Sequence, residues 1–261
     1  MKKEIKPGEI WELGEHHILG CGSSLDETFV HSLLSHADKI RMILTDPPYG
    51  VAYVEGKRDH MKLGKENVKE IMNDHLQTEE EYALFTKAWM DAVKGRLESY
   101  NACYIFNSDL MFRALRNGID AAGFYYSQML IWVKNSVVVG RKDYLPMHEV
   151  AAYCWHGRHK MNRPKSKTVI FHPKPSSSKL HPTMKPVGLL RKIIPNNTRP
   201  GEWIYDPFGG SGSTLIACEQ MGRKCAMIEL DPGYCTTIIE RWETLTGKVA
   251  TRLSTAVKKD A

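Results

Sequence analysis

The sequence predicts an α/β fold around a mainly parallel sheet, and two observations support this. Short apolar runs that end in polar or turn residues alternate with amphipathic segments, the pattern of a chain that passes repeatedly from strand to helix. Most of the runs are continuously apolar, which is typical of strands buried on both faces of a parallel sheet. The predicted strands are 17–20, 40–45, 102–106, 128–133, 150–155, 203–205 and 225–228.

Three amphipathic helices are predicted between these strands. In the first, apolar residues recur at three- and four-residue steps from Tyr82 to Leu97. Thr78 provides a start for this helix, because its hydroxyl suits an N-cap and the acidic residues Glu80 and Glu81 fall in the first turn. The other two helices contain apolar steps over 215–221 and 234–245 and end near glycines, Gly222 and Gly247.

The chain of 261 residues carries a net charge of +6 that is unevenly distributed. Residues 150–201 contain eleven lysines and arginines and no acidic residue, so the remainder carries a net charge of −5. An acidic body with one basic segment indicates a polyanionic partner.

Composition also excludes several classes of protein. No apolar stretch reaches the roughly 20 residues that cross a bilayer, so no membrane partner is expected. The first eleven residues contain charges without an apolar run, unlike a secretory signal. Six cysteines follow no disulfide or zinc spacing, which predicts free thiols, no metal site and a cytoplasmic location. We expect one domain (1–261), with a loop over 50–73 and a basic insertion over 157–181.

The first motif is Asp46-Pro47-Pro48-Tyr49, directly after the apolar run 40–44. A proline pair alone can simply terminate a strand. In open α/β sheets, however, ligands bind beyond the carboxyl ends of strands. Asp46 and the carbonyl of Pro47 could accept both N–H bonds of an exocyclic amine, and Tyr49 could stack on an unpaired base. The motif therefore predicts a site that activates a base amine.

The second motif is a glycine-rich turn over 206–214 that follows a strand and opens a helix. Such a turn is a nucleotide-type cradle. It lacks the lysine of a P-loop, and Leu215 replaces the third glycine of the dinucleotide fingerprint. Glu229 stands about twenty residues further on, the spacing of an acid that binds ribose hydroxyls. This combination indicates a nucleoside cofactor without phosphates, for which S-adenosylmethionine fits best.

The third motif is His181-Pro182-Thr183-Met184-Lys185-Pro186, just before the helix that leads into the glycine-rich turn. Alone it could be a loop bounded by prolines. Beside a cofactor that carries an amino acid, Thr183 and Lys185 could bind its carboxylate.

In this order, the three motifs resemble those of the β class of DNA amino-methyltransferases, and in particular the phage-type DNA modification methylases. The resemblance extends from Leu19-Gly20-Cys21 through residues 130–134 and His148-Glu149 to 229–232. It implies a seven-stranded, circularly permuted, Rossmann-like methyltransferase sheet with helices on both faces. It also implies double-stranded DNA as a partner, a homodimer, and either a cognate restriction endonuclease or none.

The resemblance also assigns roles to individual positions. The family usually has an aspartate near Cys21, and the sequence here reads Gly20-Cys21-Gly22. The catalytic residues implied are Asp46, Pro47, Pro48 and Tyr49. The cofactor-binding residues implied are Cys21, His181, Thr183, Lys185, Asp206, Phe208, Gly209, Gly210, Ser211, Gly212, Thr214 and Glu229.

The basic segment occupies the position of the family's target-recognition region, between the first and third motifs. A charge run is usually a solvated face. Eleven uncompensated cations that adjoin the catalytic face would instead bind DNA phosphates or guanines. The DNA-binding residues predicted here are Arg158, Lys160, Arg163, Lys165 and Lys167.

Together these features predict direct methyl transfer to adenine N6 in double-stranded DNA. Asp-Pro-Pro-Tyr favours adenine in this class, whereas cytosine N4 enzymes more often begin the motif with serine. N4-cytosine methylation is one alternative, and methylation of an RNA base or a protein glutamine is another. A catalytically silent DNA-binding protein is a third.

Overall fold

A computed structural model describes residues 3–51, 76–137, 143–174 and 184–255, and for Ser254 and Thr255 it describes the backbone only. The loop expected over 50–73 lies almost entirely outside the described residues, as does the end of the 157–181 segment. The strands are β1 (Glu9–Leu13), β2 (His17–Cys21), β3 (Ile40–Thr45), β4 (Leu97–Asn107), β5 (Tyr125–Val133), β6 (His148–Trp155), β7 (Val169–Phe171), β8 (Trp203–Asp206), β9 (Lys224–Glu229) and β10 (Thr251–Thr255).

The helices alternate with these strands as the sequence predicts. They are α1 (Glu27–Leu34), α2 (Glu79–Lys94), α3 (Phe112–Ala121), α4 (Val187–Ile193), α5 (Ser213–Met221) and α6 (Pro232–Thr246), with a short 3₁₀ turn at Ile194–Asn196.

All strands of the described residues form one mixed sheet, in the order β10-β1-β2-β9-β8-β3-β4-β6-β5-β7. The five central strands, from β2 to β4, are parallel to one another. β6 is antiparallel to both β4 and β5. The seven strands from β2 to β5 are the predicted ones. The sheet has ten strands because β1 and β10 extend one margin and β7 extends the other.

The three additional strands were not predicted because none of them contains a long apolar run. In β1, Glu9 and Glu12 interrupt the run, although four of its five residues are buried. β10 pairs antiparallel with β1 at one end of the strand order, and four of its five residues are polar. β7 has only three residues, and Val169 and Phe171 are exposed.

Helices cover both faces of the sheet, which confirms the doubly wound arrangement. One apolar core contains side chains of α1, α2 and α3, and the other contains side chains of α4, α5 and α6. β3 lies between them with every residue buried. Trp89, Trp132 and Trp242 are buried, as expected for packing residues, and Trp155 is half-buried.

The predicted helix start at Thr78 is confirmed by a complete capping box. The Thr78 hydroxyl accepts a hydrogen bond from the backbone N–H of Glu81, and the Glu81 carboxylate accepts one from the N–H of Thr78. The expected helix limit at Leu97 is wrong, because α2 ends at Lys94 and Leu97 begins β4. An apolar residue that continues the helical spacing can equally begin a buried strand.

Candidate active site

The parallel strands all end on one side of the sheet, and this row of carboxyl ends is here called the catalytic edge. Thr45 ends β3, Asp206 ends β8 and Glu229 ends β9. β3 and β8 are hydrogen-bonded neighbours although they are far apart in sequence. The catalytic edge therefore brings the Asp-Pro-Pro-Tyr motif beside the glycine-rich turn.

Asp46 and Tyr49 form a compact hydrogen-bonded group with Lys185 of the third motif. The Tyr49 hydroxyl donates to Asp46 Oδ1 at 2.7 Å, and Lys185 Nζ lies 2.5 Å from Asp46 Oδ2. Lys185 Nζ is also 3.0 Å from the Tyr49 hydroxyl. Burial raises the pKa of Tyr49 well above its usual value, so its hydroxyl stays protonated. The three side chains hold each other in fixed positions.

Two further charged residues extend this group, and sequence reasoning assigned neither of them a role. Glu149 Oε2 lies 2.9 Å from Lys185 Nζ, and Glu149 Oε1 lies 2.5 Å from Lys134 Nζ. Both residues stand in stretches that carry the family resemblance. A charged residue at a strand end is usually solvated, so only its burial in the fold could identify it.

Electrostatics keeps this cluster ionised despite its burial. Burial alone would raise the pKa of Glu149, but the ammonium groups of Lys185 and Lys134 outweigh it and lower the pKa to about 2. Burial alone would lower the pKa of Lys185, and the carboxylates of Asp46 and Glu149 raise it instead. Burial raises the pKa of Asp46, and the ammonium of Lys185 opposes that effect.

The glycine-rich turn begins at Asp206, which is buried and linked to the catalytic strand. Asp206 Oδ1 accepts a hydrogen bond from the Thr45 hydroxyl at 2.7 Å and one from the backbone N–H of Phe208 at 3.1 Å. Thr214 also donates to Asp206 from the first turn of α5. Burial outweighs these hydrogen bonds and raises the pKa of Asp206 to about 7.

Glycine is required in this turn for two different reasons. A Cβ at Gly209 would lie 2.7 Å from the side chain of Met227, so the turn passes close to β9. Gly212 has φ of +82°, in the left-handed region that favours glycine. Phe208 packs against the rings of Phe85 and Trp89 from α2. The turn is therefore held closely against both the sheet and a neighbouring helix.

Glu229 closes the far side of the turn. Its carboxylate accepts hydrogen bonds from the backbone N–H groups of Gly210 at 2.7 Å and Asp231 at 2.8 Å. Burial raises its pKa to about 7 despite these bonds. Cys21 pairs with Glu229 across β2 and β9 and is fully buried. Cys21 and Glu229 are therefore neighbours on adjacent strands.

The donor set around the turn fits a nucleoside that carries an amino acid. Two carboxyl groups, the buried Asp206 and the partly buried Glu229, can accept hydrogen bonds from hydroxyl or ammonium groups. Ser211 and Ser213 are buried here, and the Ser213 hydroxyl has no hydrogen-bond partner among the described residues. The turn contains no cation that would bind a phosphate. His181 and Thr183, the other predicted cofactor residues, lie outside the described residues.

The basic segment follows a path that the sequence did not predict. Arg158 forms a bridge with Tyr100, whereas Ile105 of the same strand pairs with Thr45, next to Asp46. The five residue steps from Tyr100 to Ile105 span about 16 Å at about 3.3 Å per residue. Arg158 therefore lies near the amino ends of the parallel strands, on the side of the sheet opposite the catalytic edge.

Lys160 and Arg163 share this location. The carbonyl of Lys160 accepts a hydrogen bond from Asn197, and the N–H of Arg163 donates to the carbonyl of Asn196, both in the segment before β8 begins. The expectation that these residues adjoin the catalytic face is wrong for Arg158, Lys160 and Arg163. The cause is the direction of β6, which runs antiparallel to β4 and carries the chain away from the catalytic edge.

The chain then returns toward the catalytic edge. Lys165 and Lys167 are exposed on the stretch that leads into β7. β7 runs parallel to β5, and the N–H of Lys174 donates to the side chain of Asn135, just beyond the end of β5. Within the described part of the 157–181 insertion, therefore, only the end at Lys174 is near the site. The part of the chain that the structure describes contains no helix long and apolar enough to cross a membrane.

Comparisons with known proteins agree with this geometry. A family model described as DNA methylase matches residues 40–240. YubD of Escherichia coli (strain K12), a protein named as a methylase, is 32% identical over 201 residues, which are 75% of this chain and 78% of that protein. The type II methyltransferase M2.DpnII of Streptococcus pneumoniae is 23% identical over 241 residues, 83% of this chain and 87% of its own.

Solved structures share the fold. The M1.HpyAVI–SAM complex superposes with a TM-score of 0.62 at 22% identity and covers 85% of this chain and 98% of its own. The cytosine-N4-specific PvuII DNA methyltransferase gives a TM-score of 0.64 at 20% identity, with 84% and 83% covered.

Proposed function

Because this chain belongs to the DNA methylase family, we propose that it transfers the methyl group of S-adenosylmethionine to the N6 amine of an adenine in double-stranded DNA. It is a DNA methyltransferase of the N6/N4 type. The observation that supports methyl transfer at this site is the hydrogen bond between Thr45 and Asp206, because it joins the Asp46 motif directly to the glycine-rich turn. The choice of adenine is supported by the motif itself, which begins with aspartate.

The glycine-rich turn and its neighbours are the proposed cofactor site. S-adenosylmethionine supplies an electrophilic methyl group on a positively charged sulfur. Asp206 and Glu229 would accept hydrogen bonds from its polar groups, and the absence of a phosphate-binding lysine in the turn suits a cofactor without phosphates. The other residues proposed to contact it are Cys21, Phe208, Gly209, Gly210, Ser211, Gly212 and Thr214, together with His181, Thr183 and Lys185.

The Asp46 motif is the proposed site of the target amine. The lone pair of an exocyclic amine is delocalised into its ring, so the amine is a weak nucleophile until its N–H groups are held by acceptors. Asp46 and the carbonyl of Pro47 would accept them, and Pro48 restricts the backbone at this point. Burial raises the pKa of Asp46, which makes its carboxylate a better acceptor for the proton that the amine releases.

Tyr49 is proposed to stack on the target base after the base leaves the duplex. Its ring is held by the hydrogen bonds of its hydroxyl to Asp46 and Lys185, so little side-chain freedom is lost on binding. Adenine is favoured over cytosine because the motif begins with aspartate. N4-cytosine methylation is the alternative, and the similarity to the PvuII enzyme concerns only the fold.

The experiment is to incubate the protein with DNA and labelled S-adenosylmethionine, digest the DNA to nucleosides and identify the methylated species by mass spectrometry. We expect N6-methyladenine. Detection of N4-methylcytosine would overturn the choice of adenine and support the cytosine alternative. Absence of any methylated nucleoside would overturn the proposal. A homodimer and a cognate endonuclease stay predictions, of which sedimentation of the purified protein tests the first.

A further inference from the structure

Four charged side chains form a continuous line at the catalytic edge. Lys134 contacts Glu149, Glu149 contacts Lys185, and Lys185 contacts Asp46, at distances between 2.5 and 2.9 Å. The two lysines are almost fully buried, and the two carboxylates are about three-quarters buried. The line contains two positive and two negative charges, so it is neutral as a whole. Lys185 occupies its centre and contacts both carboxylates.

The contact between Lys185 and Asp46 conflicts with the role proposed for Asp46. A buried carboxylate that accepts a 2.5 Å hydrogen bond from an ammonium is a weaker acceptor than the same carboxylate without that ammonium, because the positive charge lowers its basicity. The Tyr49 hydroxyl also occupies Asp46 Oδ1. A target amine therefore competes with Lys185 for the same carboxylate. Removing Lys185 from Asp46 would leave a buried ammonium without a partner unless a second carboxylate receives it.

Glu149 is placed to be that second carboxylate. Its Oε2 already lies 2.9 Å from Lys185 Nζ, so the ammonium needs to move only slightly to pair with Glu149 alone. Lys134 holds the other oxygen of Glu149 at 2.5 Å. Glu149 lies on β6 opposite Trp132 of β5, and the N–H of Lys134 donates to the carbonyl of Met147. Paired strands thus fix Glu149 before any substrate binds.

We propose that Glu149 is a positioning residue for methyl transfer, which draws the ammonium of Lys185 from Asp46 while the target amine donates its hydrogen bond to Asp46. This inference rests on the proposed function. Glu149 does not touch the amine, and it acts through Lys185.

A purely structural role for Glu149 is the competing explanation. In that case Glu149 serves only to neutralise Lys134 and Lys185 inside the protein, and any pair of changes that restores charge balance should restore the enzyme. The two roles separate when stability and the chemical step are measured on the same variants. The decisive comparison is between Glu149→Gln and the double variant Glu149→Gln/Lys134→Met.

The test measures the thermal midpoint Tm, the affinity for S-adenosylmethionine and single-turnover methylation of DNA. Glu149→Gln should lower Tm, because it leaves Lys134 buried without a carboxylate. The double variant removes both charges and should regain most of the lost Tm. We expect the single-turnover rate to fall on the order of 100-fold in both variants, the scale that follows from misplacing a reacting group. Cofactor affinity should change little.

A matched control is Glu9→Gln on β1, which five strands of the sheet separate from β6 and Glu149. Glu9 is buried, and its carboxylate accepts hydrogen bonds from Arg252 and Trp11, so this change also removes a buried paired charge. It should lower Tm and leave the methylation rate unchanged. Recovery of the rate together with Tm in the double variant would overturn the inference and leave the proposed function intact. A wild-type protein that methylates no DNA would overturn both.

A second arm covers the case in which the double variant does not fold. In a Lys185→Met background, Glu149→Gln has no ammonium left to position. We therefore expect no further loss of the methylation rate when Glu149→Gln is added to that background. A further loss of tenfold or more would show that Glu149 acts independently of Lys185 and would overturn the inference.

Discussion

The hydroxyl of Thr45 donates a 2.7 Å hydrogen bond to Asp206, and this bond connects the last residue of the catalytic strand to the first residue of the glycine-rich turn. Both residues are buried, and 161 positions separate them in sequence. The two motifs thus share one hydrogen-bond network. Burial also raises the pKa of Asp206, and this shift should affect the pH dependence of stability.

Stability should depend on pH through Asp206. Burial raises its pKa to about 7 from an ordinary value of 3.8. The folded protein therefore keeps a proton that the unfolded chain releases, so the stabilising contribution is complete below about pH 4 and is lost as pH rises to 7. Asp206→Asn cannot ionise and should not show this loss. Between the two pKa values, the difference in unfolding free energy between the wild type and Asp206→Asn should change by on the order of 1.4 kcal/mol per pH unit.

Urea titrations of both proteins at several pH values between 4 and 8 would measure this difference. The change preserves the shape of the side chain and an oxygen that can accept the hydrogen bonds of Thr45 and Phe208. Parallel pH profiles for the two proteins would contradict the assignment of a raised pKa to Asp206.

Asp46→Ala should abolish methyl transfer while largely sparing cofactor binding. The side chain is proposed to accept a hydrogen bond from the amine, whereas the glycine-rich turn and Glu229 stay unchanged. Calorimetry with S-adenosylmethionine and a methylation assay would measure the two properties. Asp38→Ala is a control before the start of β3, away from the catalytic edge, where the Asp38 carboxylate accepts a hydrogen bond from the ring N–H of Trp203. A collapse of cofactor binding in Asp46→Ala would show that Asp46 has a different role.

The salt dependence of DNA binding should distinguish the two ends of the basic segment. Lys174 lies near the catalytic edge, and Arg158 lies near the opposite margin. If Lys174 contacts a phosphate, Lys174→Gln should reduce the slope of log K against log salt by about 1. Arg158→Gln should leave the slope unchanged. Equal reductions of the slope in the two variants would indicate that DNA contacts both the catalytic edge and the opposite side of the sheet.

The six cysteines should be unreactive in the folded protein. All are free and fully buried. Burial raises the pKa of Cys103 and Cys225, and a hydrogen bond with Cys21 together with burial raises the pKa of Cys235. Because the thiolate is the reactive form, a disulfide reagent at neutral pH should label no thiol natively and six in denaturant. Rapid labelling of one thiol in the native protein would contradict this burial.

Sequence reasoning predicted the seven strands from β2 to β5 well because each contains a short apolar run. It failed at β1 and β10, where polar residues interrupt the run, and at β7, which has only three residues. It also extended a helix to Leu97, because an apolar residue at helical spacing is compatible with a following strand. These errors arise where local pattern and long-range pairing disagree.

The sequence by itself determined the motifs, their order and the class of enzyme, because each motif is a short contiguous stretch next to a strand or helix and needs only local conformation to be recognised. Tertiary structure decided which distant charges meet. Strand pairing brings Lys134 and Glu149 to Lys185 and Asp46, and the antiparallel direction of β6 carries Arg158 away from them. Such contacts depend on which strands pair and in which direction, and on the burial that results. Those properties belong to the whole sheet and not to any single segment.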